Sequence, residues 1–501
     1  MMPSNQPVAD VCLILEGTYP YVKGGVSEWA HQLIIGSPGL TFHLWCIVPN
    51  REAIKLVYDP PPNVVGTTNL VLFDDPLSGK PFEPAKDLYD SLLLFHRAPV
   101  ETSGRTGTLW QNLLRKIEST SDLTSLEPLL LSSEAYHMLM ELYHERSPGL
   151  SFIDYYYTYL FSHVPLFRIL VQKPPTARLY HAVATGYAGF AGCKARRVTG
   201  KPLLLTEHGI YTNERHIEII LADWIFAPET ERIRIRSTDE SLKKIWMDLF
   251  RFLGKLTYDL ADRITTLNQG NVEMELEFGA DRKKIEVIPN GVDVDLYQSM
   301  GRRTNPDAPL VALVGRVVAI KDVRTFIRSC RIVADRFPRA RFVVFGSIDH
   351  HDGYYQKCLE YRRLLDLEER LTFAGNVKMI DRYPEVDVLV LSSVSEGLPL
   401  VLLEAMACSI PIVATRVGGC AELILGRGKE DQKLGASGIL ADVGDHPAIG
   451  QAVVLILENP ERARTMGQAG LARVRQHYDL AKVHARYEML YRQWLSRGSE
   501  S

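Results

Sequence analysis

The sequence predicts an α/β protein built of two doubly wound Rossmann-like domains, each a parallel sheet with helices on both faces. Three observations carry that expectation. The chain has 501 residues, more than one hydrophobic core usually supports. Short apolar runs of strand length alternate with helical patterns, as in parallel sheets buried on both faces. The alternation pauses at the polar, Gly- and Pro-bearing "SMGRRTNPDAP" (299–309) and then restarts. The expected domains are therefore 1–298 and 299–480, with a last helix in 481–501 that packs back on the first domain.

Taken in order, "DVCLILEG" (10–17) reads as a buried strand, and "YPYVKGGVSEWAHQLI" turns it into a helix. "TFHLWCIVP" (41–49), "RLYHAVATG" (178–186), "PLLLTEHG" (202–209), "ADRITTLN" (261–268) and "KIEVIPNG" (284–291) continue the first series. Residues 75–175 break the rhythm. There "DLYDSLLLFHR", "LWQNLLRKIE" and "SEAYHMLMELYHE" space apolar residues as helices do, which predicts a helical insertion. After the linker come "LVALVGRV" (310–317), "RFVVFGSI" (341–348), "RLTFAGNV" (370–377), "VDVLVLSS" (386–393), "IPIVATRVGG" (410–419) and "GILADVGD" (438–445).

Composition excludes several classes. A net charge of −3 with 23% charged residues gives no basic excess, so no nucleic-acid partner is expected. The seven cysteines include no C-x-x-C pair, which argues against a disulfide framework or structural zinc and fits reduced thiols in a cytoplasmic protein. The N-terminus lacks a basic n-region and a long apolar core, so no signal peptide is expected. No run of about 18 apolar residues is present to span a membrane.

Two acids in an apolar stretch point to a ligand. In "SEGLPLVLLEAMA" (395–407), Glu396 follows a strand and Pro399 suits the first position of the next helix. Glu404 then lies about one and a half turns in, able to face the same crevice. Carboxylates in a crevice accept hydrogen bonds from vicinal hydroxyls, as on sugar rings or ribose. The reading without a ligand, two acids on a helix dipole, suits Glu404 poorly because it lies deep. In "GRVVAIKDV", Arg316 and Lys321 follow the first strand of the second domain and can hold a diphosphate. Gly418 and Gly419 allow backbone to approach a phosphate closely. Gly24 and Gly25, beside Lys23, make a similar turn in the first domain. His208, just past a strand in "TEHGIYTNERH", is a donor suited to a sugar hydroxyl.

Other stretches are given their plainer readings. The D-x-D of "VDVD" (292–295) fits turn geometry better than a metal, and "DHHDG" (349–353) makes an improbable ligand set. "GYAGFAG" (186–192) suits close helix packing. "KKIWMDLFRFLGKL" (243–256) reads as a core-packing helix rather than a membrane-surface one, and "DYYYTYLF" (154–161) as aromatic core rather than a sugar-stacking platform.

Together, E-x7-E at Glu396 and Glu404, R-x4-K at Arg316 and Lys321, "PNGVD" and the two glycine turns resemble the retaining glycosyltransferases of family 4. "LEGTYPYVKGGVSEW" and "TEHGIYTNER", with the helical insertion, resemble one subgroup, the cytosolic glycosyltransferases of Pel exopolysaccharide synthesis. The resemblance implies a GT-B fold, a UDP-sugar donor, a polysaccharide acceptor and no obligatory metal or other cofactor. It implies that Glu404 binds the ribose and Glu396 the sugar hydroxyls, while Arg316 and Lys321 neutralise the leaving diphosphate and His208 hydrogen-bonds the sugar. Gly24 and Gly25 would line the phosphate and acceptor side. Gly346, Asn376 and Val377 match the loops that hold the base, and Gly397 and Leu398 the start of the E-x7-E segment. It further implies a cytoplasmic enzyme that meets the inner membrane through polysaccharide synthesis and export proteins. One departure stands out: Asp322 replaces the glycine that usually follows the lysine. Two readings come from other classes: a non-catalytic UDP-sugar-binding scaffold, against which the intact Arg316, Lys321, Glu396 and Glu404 argue, and a phosphorylase on the same fold, for whose pyridoxal-phosphate lysine the sequence has no distinct motif.

Overall fold

The computed structural model describes residues 8–74, 86–97, 112, 115–116, 132–146, 149–221, 240–303, 305, 307–349 and 353–497. The chain forms two compact units. The first comprises Met1–Thr266, Val272–Glu286 and Glu488–Ser501; the second comprises Leu267–Asn271 and Val287–Tyr487. The division thus falls at 286/287, whereas the linker in the sequence points to 298/299.

The first unit's sheet runs in the order β3 (Val64–Val71), β2 (Phe42–Val48), β1 (Ala9–Glu16), β4 (Ala177–Ala182), β5 (Leu203–Glu207), β6 (Arg263–Thr266), β7 (Ile285–Val287). The pairs from β3 through β6 are parallel. Every residue of β2 is buried, as are Val11–Leu15 of β1, which is why these strands read as continuous apolar runs. β3 was not legible in that way: it is an edge strand, rich in Gly, Thr and Asn, with only Leu70 buried. Between β3 and β4 the described elements are helices Lys86–Arg97, Ser133–Arg146 and Phe152–Val171. "LWQNLLRKIE" lies almost wholly outside the described residues.

The two apolar helical stretches pack inward, as their plainer readings expect. Tyr155 and Tyr159 are buried in helix Phe152–Val171, whereas Tyr156 and Tyr157 are half-buried. Helix Glu240–Leu260 buries Leu242, Trp246, Phe250, Leu253 and Leu256, so its apolar face packs in the core. Asp293 caps helix Val294–Gln298 by accepting from the Leu296 N–H at 3.0 Å. His350, His351 and Asp352 lie outside the described residues. Among the described residues no group of three metal-ligating side chains converges, and no helix is long and apolar enough to cross a membrane. All seven cysteines are free and buried.

The second unit's sheet runs β10 (Leu371–Gly375), β9 (Arg341–Phe345), β8 (Leu310–Val314), β11 (Val388–Leu391), β12 (Ile412–Thr415), β13 (Gly438–Ala441), parallel throughout. Alternate residues feed two separate cores. Leu310, Ala312, Leu389, Leu391 and Ile412 pack with helix Leu400–Ala407 on one face. Val311, Leu313, Val388, Val390 and Val413 pack with helices Val323–Arg336 and His446–Leu457 on the other. That alternation is the period of two expected of a strand, with both faces covered. In each unit the strand order reverses beside the first strand, between β1 and β4 and between β8 and β11. Loops leaving neighbouring strands there diverge to opposite faces and leave a crevice at the carboxyl edge.

Candidate functional site

In the second unit the crevice at β8 and β11 gathers the sequence motifs. The loop after β8 carries Arg316 and ends in a short turn, Ala319–Lys321. Asp322 follows in the left-handed region, φ +41°, and its carboxylate accepts from the Thr325 N–H at 3.4 Å, capping helix Val323–Arg336. Aspartate is one of the few residues besides glycine that take this conformation readily, so the departure at 322 still permits a left-handed turn. Lys321 Nζ donates to Glu396 Oε1, on the loop after β11, at 2.6 Å. The two side chains are 23% and 10% exposed, so the ion pair is half-buried and each charge depends on the other. Ser393 Oγ donates to the same Glu396 oxygen at 2.5 Å. Arg316 is exposed and, among the described residues, has no ion-pair partner.

Helix Leu400–Ala407 starts one residue later than the sequence suggests: Pro399 is its cap, with φ −70° and ψ 117°, rather than its first residue. Glu404 is half-buried on this helix, and its Oε2 accepts a short hydrogen bond from the Tyr383 hydroxyl. Tyr383 is fully buried, and burial first, then the Glu404 charge, push its hydroxyl well above the usual phenol range. No sequence motif marks Tyr383.

The glycines join loop to loop. Gly418 has φ +47°, and a Cβ there would lie 1.9 Å from the Glu396 carbonyl oxygen. The next residue, Gly419, donates its N–H to the Gly397 carbonyl at 2.7 Å. Gly346 has φ +149°, and a Cβ there would fall 2.0 Å from the Gly315 carbonyl oxygen, beside Arg316. Its own N–H is taken by the Gly375 carbonyl at 2.9 Å. Asn268 Nδ2 also donates to the Gly397 carbonyl, at 3.1 Å. Leu398 is 4% exposed and its side chain belongs to the apolar core, so only its backbone is placed to meet a ligand. Val377 packs half-buried against the same core, and Asn376 is exposed.

In the first unit the strand ends carry buried titratable groups. His208 follows β5; its Nε2 is sealed from solvent and, among the described residues, has no hydrogen-bond partner, and its ring sits edge-on to Trp29 at 4.4 Å. Burial pulls its pKa down to about 3, so the imidazole is neutral. Glu16, at the end of β1, accepts from the Tyr211 hydroxyl at 2.6 Å and the Ala188 N–H at 3.0 Å. Glu207, the residue before His208, is fully buried and accepts from the Thr185 hydroxyl, the Tyr211 N–H and the Tyr258 hydroxyl. Burial holds Glu207 above the usual carboxylate range; burial and repulsion from Glu207 raise Glu275 likewise. Sequence reasoning stopped at His208 and passed over both acids. Gly24 and Gly25 open helix Gly25–Ile35 and are exposed, with nothing within 4 Å of a Cβ placed at Gly24.

Residues 9–283 match the family described as Domain of unknown function (DUF3492), more than half of the chain. The chain belongs to the DUF3492 family. Residues 308–459, in the second unit, match the family described as Glycosyl transferases group 1. A D-inositol 3-phosphate glycosyltransferase of Paenarthrobacter aurescens (strain TC1) is 28% identical over 281 residues, covering 54% of this chain. The match spans 62% of that relative's length, less than two thirds. Among solved structures, sucrose-phosphate synthase (tll1590) from Thermosynechococcus elongatus superposes with TM-score 0.62 at 18% identity, over 98% of this chain and 100% of that one. Anabaena Alr3699/HepE in complex with UDP and glucose superposes with TM-score 0.58 at 14% identity, over 96% and 99%. At those identities the likeness is one of fold, and the fold of this DUF3492 chain is of the GT-B type, with two Rossmann-like parallel-sheet units.

Proposed function

We propose that this protein is a retaining glycosyltransferase that moves a hexose from a UDP-sugar, UDP-glucose or a UDP-N-acetylhexosamine, to a growing exopolysaccharide of the Pel type. The observation that carries the reading is the Lys321–Glu396 pair across the reversal in strand order, with the unpaired Arg316 guanidinium on the same loop. The Anabaena neighbour, solved with UDP and glucose, supports the choice of donor.

In this reading Glu396 accepts from hydroxyls of the donor sugar and Glu404 from those of the ribose. Arg316 and Lys321 hold the diphosphate. Gly346, Asn376 and Val377 line the base, with Gly397 offering backbone. His208 gives the sugar one hydrogen bond from its neutral, half-buried ring. Gly24 and Gly25 serve the phosphate and acceptor. The bond from the anomeric carbon to the diphosphate oxygen breaks first, in a loose transition state. An acceptor hydroxyl then bonds to that carbon from the same face and passes its proton to the departing phosphate. Stabilising charge on the diphosphate is the dominant contribution. Inner-membrane proteins of polysaccharide synthesis and export are the partners this role implies.

A panel of UDP-hexoses, followed by calorimetry and by product mass, tests the reading. Arg316→Ala removes a guanidinium without breaking an internal bond. It is expected to lower kcat/KM by roughly 3 kcal/mol, a little over two orders of magnitude, by analogy with a lost oxyanion donor, at unchanged melting temperature. UDP-sugar binding with no transfer to any acceptor would favour the scaffold reading instead.

A further inference from the structure

Two serines follow β11, and neither belongs to the motifs that define the candidate site. Both are buried, Ser392 fully and Ser393 at 1% exposure. The Ser392 hydroxyl lies between two backbone carbonyls of the facing loop, Lys321 at 3.0 Å and Asp322 at 2.9 Å, and its proton serves either. The Ser393 hydroxyl donates to Glu396 Oε1 at 2.5 Å. One residue on, the Val394 N–H donates to the Ile320 carbonyl at 2.8 Å. Ser393 is itself tied down, since its carbonyl accepts from the Thr415 hydroxyl of β12 at 2.7 Å. Ser392 and Val394 thus fasten the loop of Glu396 to the loop of Lys321 across the point where the sheet reverses, and Ser393 between them holds the Glu396 carboxylate.

The distribution of bonds on Glu396 gives this stitching a chemical consequence. Lys321 Nζ and Ser393 Oγ both reach Oε1. Among the described residues, Oε2 takes no hydrogen bond from the protein. A carboxylate held at one oxygen by two donors cannot spin about its Cγ–Cδ bond, so its second oxygen keeps one direction. With Lys321 as the sole partner, rotation would exchange the oxygens and let the ammonium follow. A site that must meet sugar hydroxyls within a few tenths of an ångström gains from such second contacts.

We infer that Ser392 and Ser393 are positioning residues of the donor site: Ser393 fixes the Glu396 carboxylate so that Oε2 faces the sugar, and Ser392 fixes the backbone that carries Lys321. This rests on the proposed roles of Glu396 and Lys321. Ser393→Ala is expected to lower kcat about tenfold with the UDP-sugar that the parent uses, the size of one lost hydrogen bond to a charged group. UDP affinity by calorimetry should stay within about twofold, because UDP lacks the sugar that Glu396 meets. Ser393→Thr, which keeps the hydroxyl, should recover most of the rate. In a Glu396→Ala background Ser393→Ala should cost nothing further, and Ser392→Ala should likewise add nothing to Lys321→Ala, the non-additivity expected of residues that act through one another.

Parent kcat in Ser393→Ala overturns the inference. So does a loss that persists undiminished beside Glu396→Ala, and so does a parallel fall in UDP affinity and melting temperature, which would mark a merely structural serine. A parent protein that turns over no UDP-sugar defeats the proposed function and this inference together, whereas an active parent with indifferent serine variants defeats this inference alone.

Discussion

The two units stabilise their buried polar groups by opposite means. The second unit uses fixed charges in pairs. Beside Lys321 and Glu396 it buries Arg473 against Asp431, with side chains 0% and 3% exposed. Arg473 Nε donates to Asp431 Oδ1 at 2.7 Å, and its Nη atoms reach the carbonyls of Leu423, Ile424, Asp431 and Gly435. The first two carbonyls end helix Cys420–Leu425, where no intrahelical donor is left for them. The first unit instead buries Glu207 and Glu275 without an ion-pair partner among the described residues, beside the buried His181 and the neutral His208. A carboxylate without a cation in the interior stays by keeping its proton. Charge pairs keep a site ionised at any pH near neutrality, whereas proton-holding acids make stability depend on pH. The contrast says where each unit is vulnerable.

The largest expected effect breaks the second unit's pattern. Arg473→Met strands the Asp431 carboxylate in the core and should destabilise this unit by about 3–5 kcal/mol. Its residues, Leu267–Asn271 and Val287–Tyr487, contain no tryptophan. Calorimetry should therefore show one transition moved to lower temperature, while the tryptophan fluorescence transition of the first unit stays in place. Adding Asp431→Leu should recover much of the loss, because an apolar pair can replace a buried ion pair at little cost. A single variant that melts like the parent would mean that the guanidinium–carboxylate pair contributes little beyond its carbonyl contacts.

The first unit should respond to pH instead. Glu207 and Glu275 have folded pKa values raised above the ordinary 4.5, so the native state holds protons that the unfolded chain releases. Their contribution is fully present below about pH 4.5 and is lost as pH rises through their folded values. His181 and His208 act oppositely: each is pulled down to about 3, so the unfolded chain binds the extra protons and stability falls as pH drops below the ordinary 6.5. Above pH 6.5 only the acids still titrate, so the fluorescence-detected stability should fall with rising pH. Glu275→Gln, which cannot ionise, should flatten that slope. A slope equal to the parent's would show that Glu275 is not the proton-holding group.

These contrasts explain what the sequence made legible. β8, β11 and β12 are apolar on both faces, so the strands and the motif residues that follow them could be placed by counting. β3 escaped because an edge strand needs no apolar alternation. Arg316, Lys321, Glu396 and Glu404 stood out as candidates because charge in an apolar context is conspicuous. The Leu398 side chain turns toward the core, a direction that spacing does not encode. Ser392, Ser393, Tyr383, Glu207 and Glu275 were missed for one reason. The setting of each is made by neighbours that only the tertiary fold supplies; Tyr383 stands 21 residues from Glu404, in "DRYPEVD", with no periodic pattern to mark it.

Tyr383 sharpens the comparison at its finest point. It forms a phenol-to-carboxylate contact at the second unit's candidate site like those of the first unit, Tyr258 with Glu207 and Tyr211 with Glu16. Its ring is fixed in the core beside Tyr297, centroids 5.9 Å apart, so Tyr383→Phe removes the hydroxyl and little packing. If the bond orients Glu404 toward a ribose, the variant should lose about 1 kcal/mol of UDP affinity, roughly fivefold by calorimetry, with kcat at saturating donor unchanged. That split separates it from Ser393→Ala, which should lower kcat and spare UDP. Unchanged UDP affinity with a lowered melting temperature would make Tyr383 a core residue whose hydroxyl serves stability alone. The habit of the first unit would then extend into the second without touching its ligand.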